Sequence, residues 1–256
     1  MQPKPLGAFT ATALLLAACG NASQPASPTG VGLSGSITVF AASSLTAAFT
    51  TIGTDFQKAH PGTMIHFAFA GSSTLVAQVQ QGAIGDVFAS ADESNIQKLV
   101  NAGLTAGSPS IFARNKLQIV VQAGNPKHVT GLADLSRSGL VVVLCAPAVP
   151  CGRYAGQALQ KANVIVTPAS EEADVKSVVT KVVLGEADAG IVYVTDVKAA
   201  GAQVQGVDIP DPLNVIADYP IVVLKDSQNV ALAKAFIGYI HANGPRTLAR
   251  YGFLPP

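Results

Sequence analysis

The chain has 256 residues, of which 49% are apolar and only 12% charged, and its mean hydropathy is +0.39. That is core material for one large domain or for two lobes of roughly 100 residues each. Sixteen Lys+Arg against fifteen Asp+Glu leave net +1, and long runs of either sign are missing, which excludes an electrostatic case for nucleic acid or an acidic membrane as partner, and an extended charged tail.

In chain order, the first feature is a short apolar run over residues 11–18, behind a single cation, Lys4. It is too short to span a bilayer and suits the h-region of a signal peptide. It ends in Leu16-Ala17-Ala18-Cys19, which resembles the lipobox of bacterial lipoproteins, where the signal is removed and the new N-terminal cysteine carries lipid. An ordinary secretory signal with an incidental cysteine is the alternative. Loss of residues 1–18 removes Lys4 and leaves 15 basic and 15 acidic side chains. Residues 20–30 are rich in Pro, Gly and Ser and cannot bury enough apolar surface to order themselves. They read as a flexible tether between membrane and folded body.

From Ile37 onward strands and helices alternate. Ile37–Phe40 predicts a buried strand, and Ser44–Lys58 a helix with Leu45, Ala48, Phe49, Ile52 and Phe56 on one face. A strand over Met64–Phe69 and a helix over Ser72–Gln81 follow, then a strand at Asp86–Ala89 and a helix at Asn95–Ala102. Leu117–Val121 and Leu140–Leu144 are apolar runs suited to strands buried on both faces. Gly152–Lys161 and Asp174–Leu184 read as helices, Ala189–Val194 and Pro220–Leu224 as strands, Val230–His241 as a helix and Arg246–Tyr251 as a separate helical turn. The alternation predicts an α/β fold with mostly parallel sheets. No transmembrane helix is expected beyond the signal.

Cys145 and Cys151 remain, in Cys145-Ala-Pro-Ala-Val-Pro-Cys151. An exported protein lives where disulfides persist, so a bridge stiffened by two prolines stands beside the alternative of two buried free thiols. Metal binding is not expected, because there is no Cys-x-x-Cys, no His-Glu-x-x-His and no close His pair.

Ligands of open α/β sheets bind at the carboxyl ends of strands, beside helix N-termini. Four such junctions are rich in small donors: Phe40–Leu45, Ala70–Leu75, Val149–Tyr154 and Glu171–Lys176. The first N–H groups of a helix lack internal partners and carry the positive end of its dipole. Serine hydroxyls at the first two add donors for an anion, although plain N-capping accounts for any one junction taken alone. Tyr193, near the end of a buried strand, is either a core tyrosine satisfied locally or a neutral donor aimed into a cleft. A serine hydrolase using Ser72 is a competing reading, weakened because no Gly-x-Ser-x-Gly elbow exists and none of His60, His66, His128 and His241 carries a triad motif. Phosphate-loop and dinucleotide fingerprints are absent, so no nucleotide cofactor is expected.

Thr38–Leu45, Ser72–Leu75, Asp86–Asp92, Val149–Gly152, Asp174-Val175, Gly190–Asp196 and Arg250–Phe253 together, and in this order, resemble the molybdate-binding proteins of bacterial ABC transporters. The resemblance implies a two-lobed periplasmic-binding-protein (type II) fold, each lobe a mostly parallel sheet flanked by helices. It divides the chain into a signal (residues 1–18), a lipid-anchored tether (19–35), a first lobe (36–113 and 223–256) and a second lobe (114–222). It implies an oxyanion between the lobes, bound by hydroxyl and N–H of Ser44 and Ser72, by the N–H of Cys151 and Val175, and by the phenol of Tyr193. The family often has alanine where Cys151 stands; a backbone donor tolerates that change. Arg153, beside the third junction, is expected to face solvent. The implied protein is no enzyme. It is a monomer anchored to the outer face of the cell membrane that delivers molybdate, and tungstate, to a permease without cofactor; another oxyanion such as sulfate is the alternative within the same class.

Overall fold

A computed structural model of the protein describes residues 1–3 and 32–256. Cys19, the apolar run at 11–18 and most of the expected tether lie outside the described residues. Nine strands and seven α-helices follow from Gly35 onward: β1 (Gly35–Ala42), α1 (Thr46–Ala59), β2 (Thr63–Ala70), α2 (Ser72–Gln80), β3 (Val87–Ala89), α3 (Glu93–Asn101), β4 (Ser110–Gln122), β5 (Val142–Cys145), α4 (Pro150–Lys161), β6 (Ser170–Glu172), α5 (Val175–Val183), β7 (Ala189–Tyr193), α6 (Val194–Ala200), β8 (Val204–Asp208), β9 (Ile216–Val223) and α7 (Val230–Arg250).

The strands form two sheets that share β4. The first runs β2-β1-β3-β9-β4, the second β6-β5-β7-β4-β8. β1 pairs in parallel with β2 and β3, and β9 is reversed between β3 and β4. In the second sheet β5 is parallel to β6 and β7, and β4 is reversed between β7 and β8. Each sheet therefore holds four strands of one sense and one of the other. This is the two-lobed type II arrangement. Residues 110–116 of β4 pair with β9 and residues 117–122 with β7 and β8, so one strand leaves the first sheet and enters the second. The boundaries expected at 113/114 and 222/223 fall inside β4 and β9.

Strand alternation sorts the first lobe into three layers. Ile37, Val39 and Ala41 of β1 share one core with Phe49, Ile52 and Phe56 of α1 and Phe236 and Ile240 of α7. Phe40 and Phe88 point the other way, to Leu75, Val76 and Val79 of α2 and Ile96 and Leu99 of α3. In the second lobe Ala155, Ala158 and Leu159 of α4 and Val175, Val178 and Val182 of α5 join the core of β4, β5 and β7. Cys145 and Cys151 are joined by a disulfide, which ties the end of β5 to the first turn of α4.

Two expectations are corrected. The helical turn at Arg246–Tyr251 is not separate: α7 continues through Pro245 to Arg250. A proline inside a helix removes one backbone hydrogen bond, but Phe236, Ile240, Gly244 and Leu248 hold one buried face on both sides of it. The helix expected from Ser44 opens as a 3-10 turn at Ser43–Leu45 before α1. β6, β8 and α6 were not foreseen: β6 is Ser-Glu-Glu and β8 is Val-Gln-Gly-Val-Asp, edge strands with almost no apolar pattern. Among the described residues, no helix is long and apolar enough to cross a membrane.

Candidate functional site

All five expected ligand residues line one cavity. It is a small cavity lined by Ser44, Gly71, Ser72 and Ala91 from the first lobe and Val149, Cys151, Val175 and Tyr193 from the second. Neither Lys nor Arg lines it. Ser44, Ser72, Cys151, Val175 and Tyr193 are all buried.

The local folding explains why donors converge. Four helical segments start at this cavity: the 3-10 turn at Ser43, α2 at Ser72, α4 at Pro150 and α5 at Val175. The first three begin after Ala42, Gly71 and Val149, none of which caps the helix with its side chain. Ser44 and Ser72 therefore do not act as N-caps, which was the alternative account of these junctions. Pro150 opens α4 without needing an N–H partner. At α5, Asp174 Oδ1 accepts the N–H groups of Lys176 (2.8 Å) and Ser177 (3.1 Å), and the N–H of Val175 is not among its partners.

Each hydroxyl is held by a neighbour. Ser72 Oγ accepts the Ala91 N–H at 3.1 Å, so its own proton is free to be donated. Asn115 Nδ2 donates to the Tyr219 hydroxyl at 3.3 Å, and that hydroxyl stands 2.9 Å from Ser44 Oγ. Either hydroxyl of the Ser44–Tyr219 pair can be the donor; when Tyr219 donates, the Ser44 proton is free to turn toward the cavity. Tyr193 differs from both. Its side chain is 1% exposed, and its hydroxyl has no hydrogen-bond partner in the protein. Burial, then the neighbouring Tyr219, Tyr154, Asp92 and Asp196, push its phenol well above the usual tyrosine range, so it stays a neutral donor.

Ser72 has no histidine partner: its Oγ meets Ala91, while His241 bonds Ser110 and His60 packs on Phe56 and Tyr239. A serine nucleophile here lacks its base. Among the described residues no cluster of His, Cys, Asp and Glu is placed to hold a metal ion. Cys151 Sγ is consumed in the disulfide, which leaves this position its backbone N–H as donor.

Arg153 corrects an expectation. Rather than facing solvent, its guanidinium lies 3.0 Å from Asp92 Oδ2. Two residues near the cavity were not singled out from sequence, Tyr219 and Asn115, both fully buried. Tyr219 had a signal, a polar-tipped residue entering the apolar run of β9 (Ile216–Val223); Asn115, between Arg114 and Lys116 in β4, had none.

A family model described as bacterial extracellular solute-binding protein matches residues 37–254. A curated relative, the molybdate-binding protein ModA of Mycobacterium tuberculosis, is 45% identical over 243 residues, covering 94% of this chain and 93% of that one. Among solved structures, the periplasmic molybdate-binding protein of Azotobacter vinelandii superposes with a TM-score of 0.74 at 22% identity, covering 86% of this chain and 99% of that one. The sulfate-binding protein SubI of Mycobacterium tuberculosis gives 0.78 at 22% identity over 86% of each chain. At that identity both structures speak for the fold alone. A cavity between two lobes, closed by helix N-termini, stands in a chain that belongs to the family of bacterial extracellular solute-binding proteins.

Proposed function

We propose that this protein binds molybdate, and tungstate with it, between its lobes and hands it to the permease of an ABC transporter. It does so as a monomer, without cofactor, held at the outer face of the cell membrane by lipid on Cys19. The observation that carries the reading is the Tyr193 hydroxyl: a buried donor without a protein partner, in a cavity of helix N-termini that Lys and Arg do not enter. An unpartnered buried polar group costs about 1–3 kcal/mol, and a bound oxyanion removes that cost. The 45% identity to a molybdate-binding protein over nearly the whole chain supports the choice of anion.

The donors account for the strength. Ser44 and Ser72 offer hydroxyl and N–H, Cys151 and Val175 an N–H each, and Tyr193 its phenol. Hydrogen bonds to a charged group are worth roughly 1.5–3 kcal/mol net, so about seven supply the roughly 12 kcal/mol of a nanomolar site before closure costs. Neutral donors also let the lobes reopen, since no buried cation is left bare. Sulfate has the same charge and shape with shorter bonds, so the size of the closed cavity must discriminate.

Titration calorimetry with molybdate, tungstate, sulfate and phosphate, beside an ester-hydrolysis screen, tests the reading. Molybdate and tungstate are expected to bind most tightly. Preference for sulfate would assign the other oxyanion, and Ser72-dependent ester cleavage would make the protein a hydrolase. Tyr193→Phe is expected to weaken molybdate binding by roughly 1.5–3 kcal/mol, about ten- to hundredfold. The ligand-free variant should be as stable as the parent or more so, because the lost hydroxyl had no protein partner; unchanged affinity would remove Tyr193 from the site. For the anchor, Cys19→Ser is expected to abolish metabolic labelling with a lipid precursor, and undiminished labelling would place the lipid elsewhere.

A further inference from the structure

Arg153 sits in the first turn of α4, where the helix dipole disfavours a cation. Helix stability therefore does not explain it. Its Nη2 lies 3.0 Å from Asp92 Oδ2, across the cleft: α4 belongs to the second lobe, and Asp92 follows β3 of the first. Among the described residues, this is the one ion pair that joins the lobes outside the connecting segments around β4 and β9. Asp92 is 1% exposed and Arg153 27%, so the pair is screened far less than a surface bridge.

Asp92 is fixed independently of Arg153. It caps α3, with Oδ1 accepting the Asn95 N–H at 2.9 Å and the Ser90 hydroxyl at 3.3 Å, and Oδ2 accepting Asn95 Nδ2 at 3.1 Å. When the lobes separate, these bonds persist and water replaces the guanidinium, so the open form carries no unpaired buried charge. When they close, Asp92 is buried and the guanidinium compensates it. An interaction present in one state and absent from the other shifts the equilibrium between them.

We propose that Asp92 and Arg153 form a closure latch, an interlobe ion pair made as the lobes shut on the anion that sets how slowly the anion is released. Arg153 does not line the cavity, and its charge is taken up by Asp92. It therefore acts on the closed state and not on the anion, as a positioning residue. The proposal rests on the binding reading above only for the identity of the ligand.

The test uses Arg153→Gln in the mature protein, with molybdate as probe. Dissociation followed by stopped flow is expected to quicken roughly tenfold, with the association rate unchanged, because encounter occurs with the open form. The unfolding midpoint of the ligand-free variant should match the parent. In an Asp92→Asn background, Arg153→Gln should add little further effect, and Arg153→Lys should restore part of the slow release. An unchanged dissociation rate would overturn the latch while leaving molybdate binding intact, and so would a ligand-free destabilisation equal to the loss of affinity. Should the parent bind none of the four oxyanions, the functional reading fails. The latch, which acts on the anion-closed form, falls with it, whereas an unchanged dissociation rate for Arg153→Gln beside a parent that binds molybdate sinks the latch alone.

Discussion

Gly71→Ala is expected to weaken molybdate binding by about 3–6 kcal/mol, two to four decades in Kd, while leaving the ligand-free protein folded. Gly71 is the N-cap of α2, with φ −59° and ψ 138°, a conformation alanine adopts without strain. Its own lobe offers no obstacle. The obstacle comes from the other lobe: a Cβ on Gly71 would collide with the carbonyl oxygen of Ala173 and come within 3.6 Å of the Asp174 Cβ. A backbone carbonyl at the mouth of a helix cannot be moved as a flexible side chain can, so the lobes must stop short. Val175, two residues beyond Ala173, would then fall out of hydrogen-bond reach together with its neighbours on the second lobe. Losing about two charge-assisted hydrogen bonds gives the stated magnitude. Scattering should show a variant that no longer compacts when molybdate is added. Compaction and affinity like those of the parent would mean that the observed approach of the lobes is not the liganded one.

Much of this architecture was legible in the sequence because period and burial agree. Leu45, Phe49, Ile52 and Phe56 recur at helical spacing and share one core, and Leu117, Ile119, Val120 and Val121 of β4 join it, with Gln118 the one polar residue among them. The polar edge strand at Ser170–Glu172 was not legible, because its three residues are fixed by pairing with β5 rather than by their own pattern. Nor was the unbroken α7. A proline reads locally as a stop, and only the core beneath Gly244 and Leu248 shows that packing outweighs one lost hydrogen bond.

The cavity was legible for a different reason. Serines, a proline and a small residue at strand-to-helix junctions are local signals, and the topology brings all four junctions to the cleft. What no junction records is the partner on the other lobe. Arg153 looked solvent-facing because its own turn offers it nothing. Asp92, which claims it, lies far away in the chain. Tyr219 escaped for the same reason: its link to Ser44 spans 175 residues.

Asp196 is expected to make the protein lose stability as pH rises from about 4 to 7, and Asp196→Asn to abolish that loss. Asp196 is 2% exposed; Oδ2 accepts the Tyr193 N–H at 3.2 Å, and Oδ1 has no partner. Burial, the dominant influence, pushes its carboxyl up to about 7; Lys176 and the Tyr193 N–H draw it partly back, and Asp174 pushes it up again. Below about pH 4 both folded and unfolded chains hold the proton, and the stability linked to this group is fully present. Between about 4 and 7 the unfolded chain has released it and the folded chain has not. The folded state then binds more protons, and its stability falls with rising pH until the folded carboxyl ionises. From the ordinary value of 3.8 to about 7, at 1.36 kcal/mol per decade, the loss is about 4 kcal/mol. Asp134 and Glu172, whose carboxyls are held below their ordinary range, act in the opposite sense at lower pH, so the quantity to measure is the difference between parent and variant. Asparagine keeps an oxygen for the Tyr193 N–H and carries no charge, at a cost of about 1–3 kcal/mol for its buried amide. Denaturant unfolding across pH 4 to 8 should show Asp196→Asn less stable than the parent at the acid end and more stable at pH 8. Parallel curves would mean that the carboxyl ionises freely inside the fold.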